Sequence, residues 1–166
     1  MDVAVRRIRD GDGPRLRSLR LASLRDAPSD FSATLADAEA LSDDRWAEIA
    51  AGNASGSNQA IWIAEVDGEP VGVLAAFRTF DDVVTLTSLW AAPGFRQVGV
   101  AEALVAEATT WAAAGPGHTL RLWMRERNDR VQAFYLDLGF EPTGQSMAYE
   151  PDPRQREVEL RKSLPA

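Results

Sequence analysis

Apolar positions along this chain repeat with two different periods, and the switch between them divides the sequence into recognisable elements. Residues 3–8 alternate weakly and read as a short first strand. Asp12 or Gly13 then caps a helix that opens on Pro14 and carries Leu16, Leu19, Ser23 and Leu24 at helical spacing to about residue 25. The run Asp26-Ala-Pro28-Ser-Asp30 breaks that helix, and residues 31–41 read as loop with one helical turn. Ser42 caps a second helix with Trp46 and Ile49 on its apolar side, and residues 52–57 are a polar loop. From residue 60 the period falls to two. Residues 60–66, 71–77 and 83–91 read as strands, joined by Asp67-Gly68 and by a turn at Asp81-Asp82. Pro93-Gly94 ends the third of them. Helical spacing returns over 99–114, with Val100, Leu104, Ala108 and Trp111 on one face, and stops at Gly115-Pro-Gly117. Residues 119–125 form a fifth strand. Asn128 caps a last helix bearing Val131, Phe134, Tyr135 and Leu138, Gly139 ends it, and one or two strands near 147–149 and 158–160 close the chain. This is a mixed α/β (α+β) order, with no repeat and no linker, so residues 1–166 are expected to form a single domain.

Composition narrows the chemistry by exclusion. The chain has no cysteine and one histidine, His118. Disulfides, thiolate nucleophiles and thiolate metal sites are absent, a two-histidine site is impossible, and no metal is expected. His118, after Gly117 at the head of a strand, reads as structural or exposed. A formal net charge of −7 argues against a nucleic-acid partner and leans slightly toward a cationic one. No run approaches the roughly 18 apolar residues of a membrane span, and the first residues lack the apolar core of a secretory signal, so a cytoplasmic protein without membrane contact is expected.

Candidate chemistry sits where a strand gives way to a helix: Leu89-Trp-Ala-Ala-Pro93-Gly-Phe-Arg96-Gln-Val-Gly99-Val-Ala101-Glu-Ala-Leu104. The first amides of a helix have no intrahelical partner, and the helix dipole adds about half a positive charge there. Gly99 lets an anion approach the backbone and Ala101 keeps the next position small, so Arg-x-x-Gly-x-Ala suits a pyrophosphate. The same residues also fit an ordinary capped strand-to-helix turn. The loop lacks the Gly-Lys-Ser/Thr ending of a P-loop and the Gly-x-Gly-x-x-Gly of a dinucleotide fold.

A second block, Leu122-Trp-Met-Arg-Glu-Arg-Asn128-Asp-Arg-Val-Gln-Ala133-Phe134-Tyr135-Leu-Asp-Leu-Gly139-Phe140, lies about 30 residues further on. Together the two blocks resemble the GNAT superfamily of N-acetyltransferases. The first is similar to its acetyl-CoA pyrophosphate motif and the second to its Asn…Ala-x-x-Phe-Tyr…Gly-Phe segment. Leu24-Arg-Asp-Ala-Pro28…Phe31 is similar to the early segment of some bacterial members. The resemblance is specific over residues 83–140 and looser elsewhere.

The resemblance implies a mixed, mostly antiparallel sheet of six to seven strands flanked by about four helices, with the central strands splayed around an acyl-CoA arm. It implies that Leu89, Trp90 and Ala91 pair with that arm, with the Ala91 amide stabilising an oxyanion. Backbone amides of Gln97, Val98, Gly99, Val100 and Ala101 would hold the pyrophosphate, with Arg96 at the motif's first position. Asn128 would bond the cofactor arm, or serve only as an N-cap. Tyr135 would be the general acid for the departing thiolate, or a core residue of the last helix. The general base stays open. Positions where relatives carry a strand carboxylate hold Thr85 or Thr87, and Trp123; Asp81, Asp82 and Glu126 are the nearest carboxylates, each reading as a solvated turn charge, and a water relay is an equal option. Gln97 and Val98 lack the extra basic groups common in this loop, and Glu102 repels a phosphate if it points inward. The implied activity is acetyl-CoA-dependent transfer, without metal, to a primary amine on a small molecule or peptide within a ternary complex. The alternative is an acyl-CoA-binding module that does not catalyse transfer, and the resemblance allows a homodimer.

Overall fold

The structure is a computed structural model and describes residues 2–165 except Ser32. Seven strands form one sheet: β1 (Ala4–Arg7), β2 (Gln59–Val66), β3 (Glu69–Arg78), β4 (Val83–Ala91), β5 (Thr119–Arg125), β6 (Glu141–Tyr149) and β7 (Asp152–Ser163). Five helices accompany them: α1 (Gly13–Asp26), α2 (Leu35–Ala40), α3 (Asp43–Gly52), α4 (Val100–Ala114) and α5 (Asp129–Asp137). The sheet order is β1-β2-β3-β4-β5-β7-β6, and the one parallel pair is β4 with β5. The mixed, mostly antiparallel sheet expected from sequence is present, with five helices where about four were expected.

The extra helix is α2, in the stretch read as loop with a single helical turn. Thr34 caps it by accepting the Asp37 N–H at 3.1 Å, a local bond that a hydrophobic-period scan does not register. Ser42 does cap α3, accepting from Arg45 at 3.1 Å. At α1, Asp12 precedes the helix without capping it by its side chain; the carboxylate instead takes the Arg9 N–H and pairs with Arg6.

The core lies on both faces of the sheet, which is why residues 60–64 are apolar without a break. Ala60, Trp62 and Ala64 face the layer that holds α4, while Ile61 and Ile63 face α1 and α3. Val100, Leu104 and Ala108 of α4 are fully buried against the first face. Gly72 on β3 permits that contact: a Cβ there would stand 2.6 Å from Val100 Cγ1. Beyond β5 the sheet is less covered, and β6 is exposed along its length except at Tyr149.

Candidate active site

The site begins as a break in strand pairing. β4 runs nine residues, yet it pairs with β5 only where Val83, Val84 and Thr85 meet Thr119, Leu120 and Arg121. The cause is a bulge. The β3–β4 register shifts between Val73 and Ala75, and opposite that shift Ser88 adopts φ 62°. One extra residue bends and twists a strand. It also exchanges the faces of everything after it. Val84 and Leu86 face α4 as even-numbered residues, whereas Leu89 and Ala91 take over that face and Trp90 crosses to the α1 and α3 side.

Backbone groups follow the same alternation. The Ala92 N–H donates to Val71 O at 2.8 Å, toward β3. Successive amides along a strand point to opposite edges. The Ala91 and Leu89 amides are therefore directed away from β3, into the gap between β4 and β5. A cavity of about 360 Å³ occupies that gap. Ser88, Leu89, Asn128 and Tyr135 line it together with Arg20, Arg125 and Glu157.

Beyond β4 the chain turns at Ala92, whose carbonyl accepts the Phe95 N–H at 3.0 Å, and enters α4 through Gly99 at φ 88°. No side chain caps this helix, so its first amides keep their donors. A Cβ on Gly99 would meet only Glu102 Oε2, at 3.9 Å, so the left-handed backbone is what requires the glycine, and the Glu102 carboxylate is turned back toward the helix start, where it opposes a bound phosphate. These amides and those of Leu89 and Ala91 form a donor set that an acyl-CoA, with its anionic pyrophosphate and amide-bearing arm, would fit.

Arg96, at the motif's first position, is already partnered within the protein. Its Nε donates to Ala91 O at 3.0 Å and its Nη2 pairs with the Asp26 carboxylate. Asp26 also accepts Trp90 Nε1 at 3.0 Å. These two donors, the indole first, hold the Asp26 carboxyl below the ordinary aspartate range. The end of α1, the end of β4 and the loop before α4 are thus tied by one carboxylate. In the sequence Asp26 stands only as the start of a helix-breaking run. Its partner Trp90 reaches it only because the bulge has turned that side chain over.

Tyr135 is 7% exposed, set edge-on between Phe134 and Phe140 with ring centroids 5.1 and 5.4 Å away. Its hydroxyl makes no hydrogen bond among the described residues, and burial pushes its pKa up, so the phenol keeps its proton. Asn128 Oδ1 accepts the Val131 N–H at 3.2 Å, the N-cap role, while the residue also lines the cavity.

The carboxylates nearest in sequence do not reach the cavity. Asp81 is bound to Thr79 in the β3–β4 turn, Asp82 sits in that turn at φ 59°, and Glu126 follows β5; none lines the gap. Glu157 and Asp30 do. Glu157 is held opposite Arg125 in the β5–β7 register. Burial raises its carboxyl above the ordinary glutamate range, with Arg125 opposing. Period-two alternation along 157–161 was the available signal, since Val158 and Leu160 face the core and so turn Glu157 and Glu159 to the other side. Among the described residues no cluster of three or more His, Asp or Glu is placed to hold a metal ion, and no helix is long and apolar enough to cross a membrane.

The class is thus an open, mixed α/β sheet parted beside a bulged strand, with an uncapped, glycine-led helix at the strand's end. Residues 21–140 match the model of the Acetyltransferase (GNAT) family, and the chain belongs to that family. It is 36% identical over 92 residues to an uncharacterised N-acetyltransferase of Mycobacterium tuberculosis; the match covers 52% of this chain and 55% of that protein, so the chain spans about half the length of the curated relatives it matches. Its fold is that of the GNAT acetyltransferase from Streptococcus pneumoniae, with TM-score 0.80, 20% identity, and 99% and 100% of the two chains covered. The PaiA N-acetyltransferase of Thermoplasma acidophilum, solved in complex with coenzyme A, superposes with TM-score 0.75 at 16% identity over 98% and 99% of the chains.

Proposed function

We propose that the protein is an acetyl-CoA-dependent N-acetyltransferase that transfers the acetyl group directly to a primary amine, on a small molecule or peptide, in a ternary complex. The carrying observation is one cavity lined by Leu89, Tyr135 and Glu157 together, at the edge of β4 where strand pairing with β5 has ended. Acetyl-CoA supplies an activated acyl thioester. In this reading the amides of Gln97 to Ala101 bind its pyrophosphate, and the Leu89, Trp90 and Ala91 backbone orients its arm. The Ala91 N–H donates to negative charge developing on the acyl oxygen. Glu157 removes a proton from the acceptor ammonium; its raised pKa brings it closer to that task than an exposed glutamate. Tyr135 Oη holds the proton that the leaving sulfur needs. Arg96 acts as a strut: it joins the Ala91 carbonyl to Asp26 and so ties the end of β4 to the end of α1.

The competing reading, a module that binds acyl-CoA without transfer, drew on the missing carboxylates of β4 and β5. Glu157, reaching the same cavity from β7, weakens it. Thiol release from acetyl-CoA over a panel of primary amines, run beside a thermal-shift titration with acetyl-CoA, separates the two. Amine-dependent release supports the enzyme. Tight binding with no turnover of any amine would leave the binding module.

A further inference from the structure

The guanidinium of Arg20 stands alone in the wall between two cavities. It lines the β4–β5 cavity and also a second one of about 300 Å³, walled mainly by Leu16, Leu41, Trp46, Ile49 and Val73, with Asp37 the one carboxylate there and out of ion-pair range of Arg20. Ser88, the bulge residue, borders both as well. Other arginines against the body of the protein find acceptors: Arg6 in Asp12 and Glu65, Arg7 in the carbonyls of Asn53, Gly56 and Gln59, Arg121 in Thr85 and Glu159, and Arg78 in the carbonyls of Ser57 and Pro116, although its Nη2 is unpartnered. Among the described residues the Arg20 guanidinium has no hydrogen-bond acceptor and no carboxylate in ion-pair range. Its neighbour is the Phe31 ring, 5.0 Å from the guanidinium carbon, and Nη1 is covered and unpartnered. A charge taken from water without a counter-ion is costly, and folded proteins pair such groups. An arginine cannot escape by losing its proton, so the missing partner is an anion. The opposite charge is present in the same cavity, at Glu157 and Asp30.

We propose that the acceptor is an apolar amino acid, its carboxylate held by Arg20, its amino group directed to Glu157, and its side chain in the cavity walled by α1, α2, α3 and the sheet. The proposal rests on the acetyl-transfer reading and narrows its acceptor. Ser88 borders both cavities, which places the junction of amine, carboxylate and side chain beside Leu89.

The test is thiol release from acetyl-CoA with L-leucine and L-phenylalanine, with their amides, and with isoamylamine and phenethylamine. The free amino acids are expected to exceed their amides and the decarboxylated amines in kcat/KM by about tenfold to a hundredfold, the range of one charge-assisted contact. Arg20→Met should collapse that ratio and Arg20→Lys should keep part of it. Leucine or phenylalanine alone should raise the melting temperature of the wild type and not of Arg20→Met, a readout that a purely structural arginine would not move. Amides and amines used as well as the free amino acids, or a preference that survives Arg20→Met, would overturn the proposal. So would an enzyme that binds acetyl-CoA and acetylates none of the six. Absence of any acetyl-CoA thermal shift would instead bring down the acetyl-transfer reading, and this proposal with it.

Discussion

Gly72 is the position where packing and function are most tightly joined. It pairs with Ala91 across β3 and β4, and it lies beneath the first residue of α4. A methyl group added by Gly72→Ala would stand 2.6 Å from Val100 Cγ1, 3.1 Å from Leu104 Cδ1 and 3.1 Å from the Trp90 carbonyl oxygen. Carbon atoms in contact settle at about 3.5–4.0 Å, so roughly 1 Å must be found. Val100 is β-branched, fully buried and in the first turn of α4, so a rotamer change gives little relief. The displacement therefore passes to the helix terminus itself. Overpacking of this kind costs about 1–3 kcal/mol. In a chain of this size each kcal/mol lowers the melting temperature by about 2–4 °C. Moving the first amides of α4 also weakens the proposed pyrophosphate contact, so KM for acetyl-CoA should rise about tenfold while KM for the amine changes less. Melting curves and initial rates measure both. The decisive control is Gly72→Ala combined with Val100→Ala, which removes the obstructing methyl and should recover most of the acetyl-CoA KM. An unchanged single variant, or a double variant no better than the single, would refute this account of how α4 is seated.

Tyr135→Phe should lower kcat by about a hundredfold or more while acetyl-CoA affinity, read by titration calorimetry, stays near wild type; equal turnover removes Tyr135 as the acid. Glu157→Gln should abolish the acidic limb of the kcat/KM profile. Because burial raises this carboxyl, with Arg125, Arg20 and Asp30 the other charges lining its cavity, the wild-type limb should lie above the ordinary glutamate range, activity falling as pH drops through it. A limb retained in Glu157→Gln would assign it to another group. Asp26→Asn should loosen the Trp90 and Arg96 contacts and raise KM for acetyl-CoA severalfold with little change in the amine's KM; a selective effect on the amine would place this carboxylate in the acceptor site instead.

Much of the architecture is legible in the residues because the two periods are clean. β2, β3 and β4 follow from alternation plus Asp67-Gly68, and α4 from its Val100, Leu104 and Ala108 stripe. What escapes is whatever depends on a single residue out of step. The bulge at Ser88 leaves 83–91 reading as one ordinary strand, although Val84 and Leu86 share a face with Leu89 and Ala91 rather than with Trp90. Asp26 and Arg96 meet across 70 residues, a distance no local pattern spans. Glu157 enters the site through β7, which inserts between β5 and β6, and strand order of that sort is decided by the whole sheet. Motif position placed Arg96 at the cofactor loop, and the structure adds that its charge is shared with a carboxylate.

The three residue pairs joining β4 to β5 have a consequence for how the molecule holds together. β1 to β4 and β5 to β7 are each knit by long antiparallel ladders, while the seam between them is a short parallel one. Past that seam each half presents an inner edge of unpaired backbone groups, the same kind of edge that sheets normally cover. Hydrogen exchange should therefore divide the sheet into two cooperative blocks, the amides of Leu89 and Ala91 exchanging early although they lie near its geometric centre. A molecule bonded along both inner edges would act as an eighth strand without belonging to the chain, and at a hundred times its dissociation constant would add about 2.7 kcal/mol to the folded state. In that sense the folded sheet is complete only in the liganded protein.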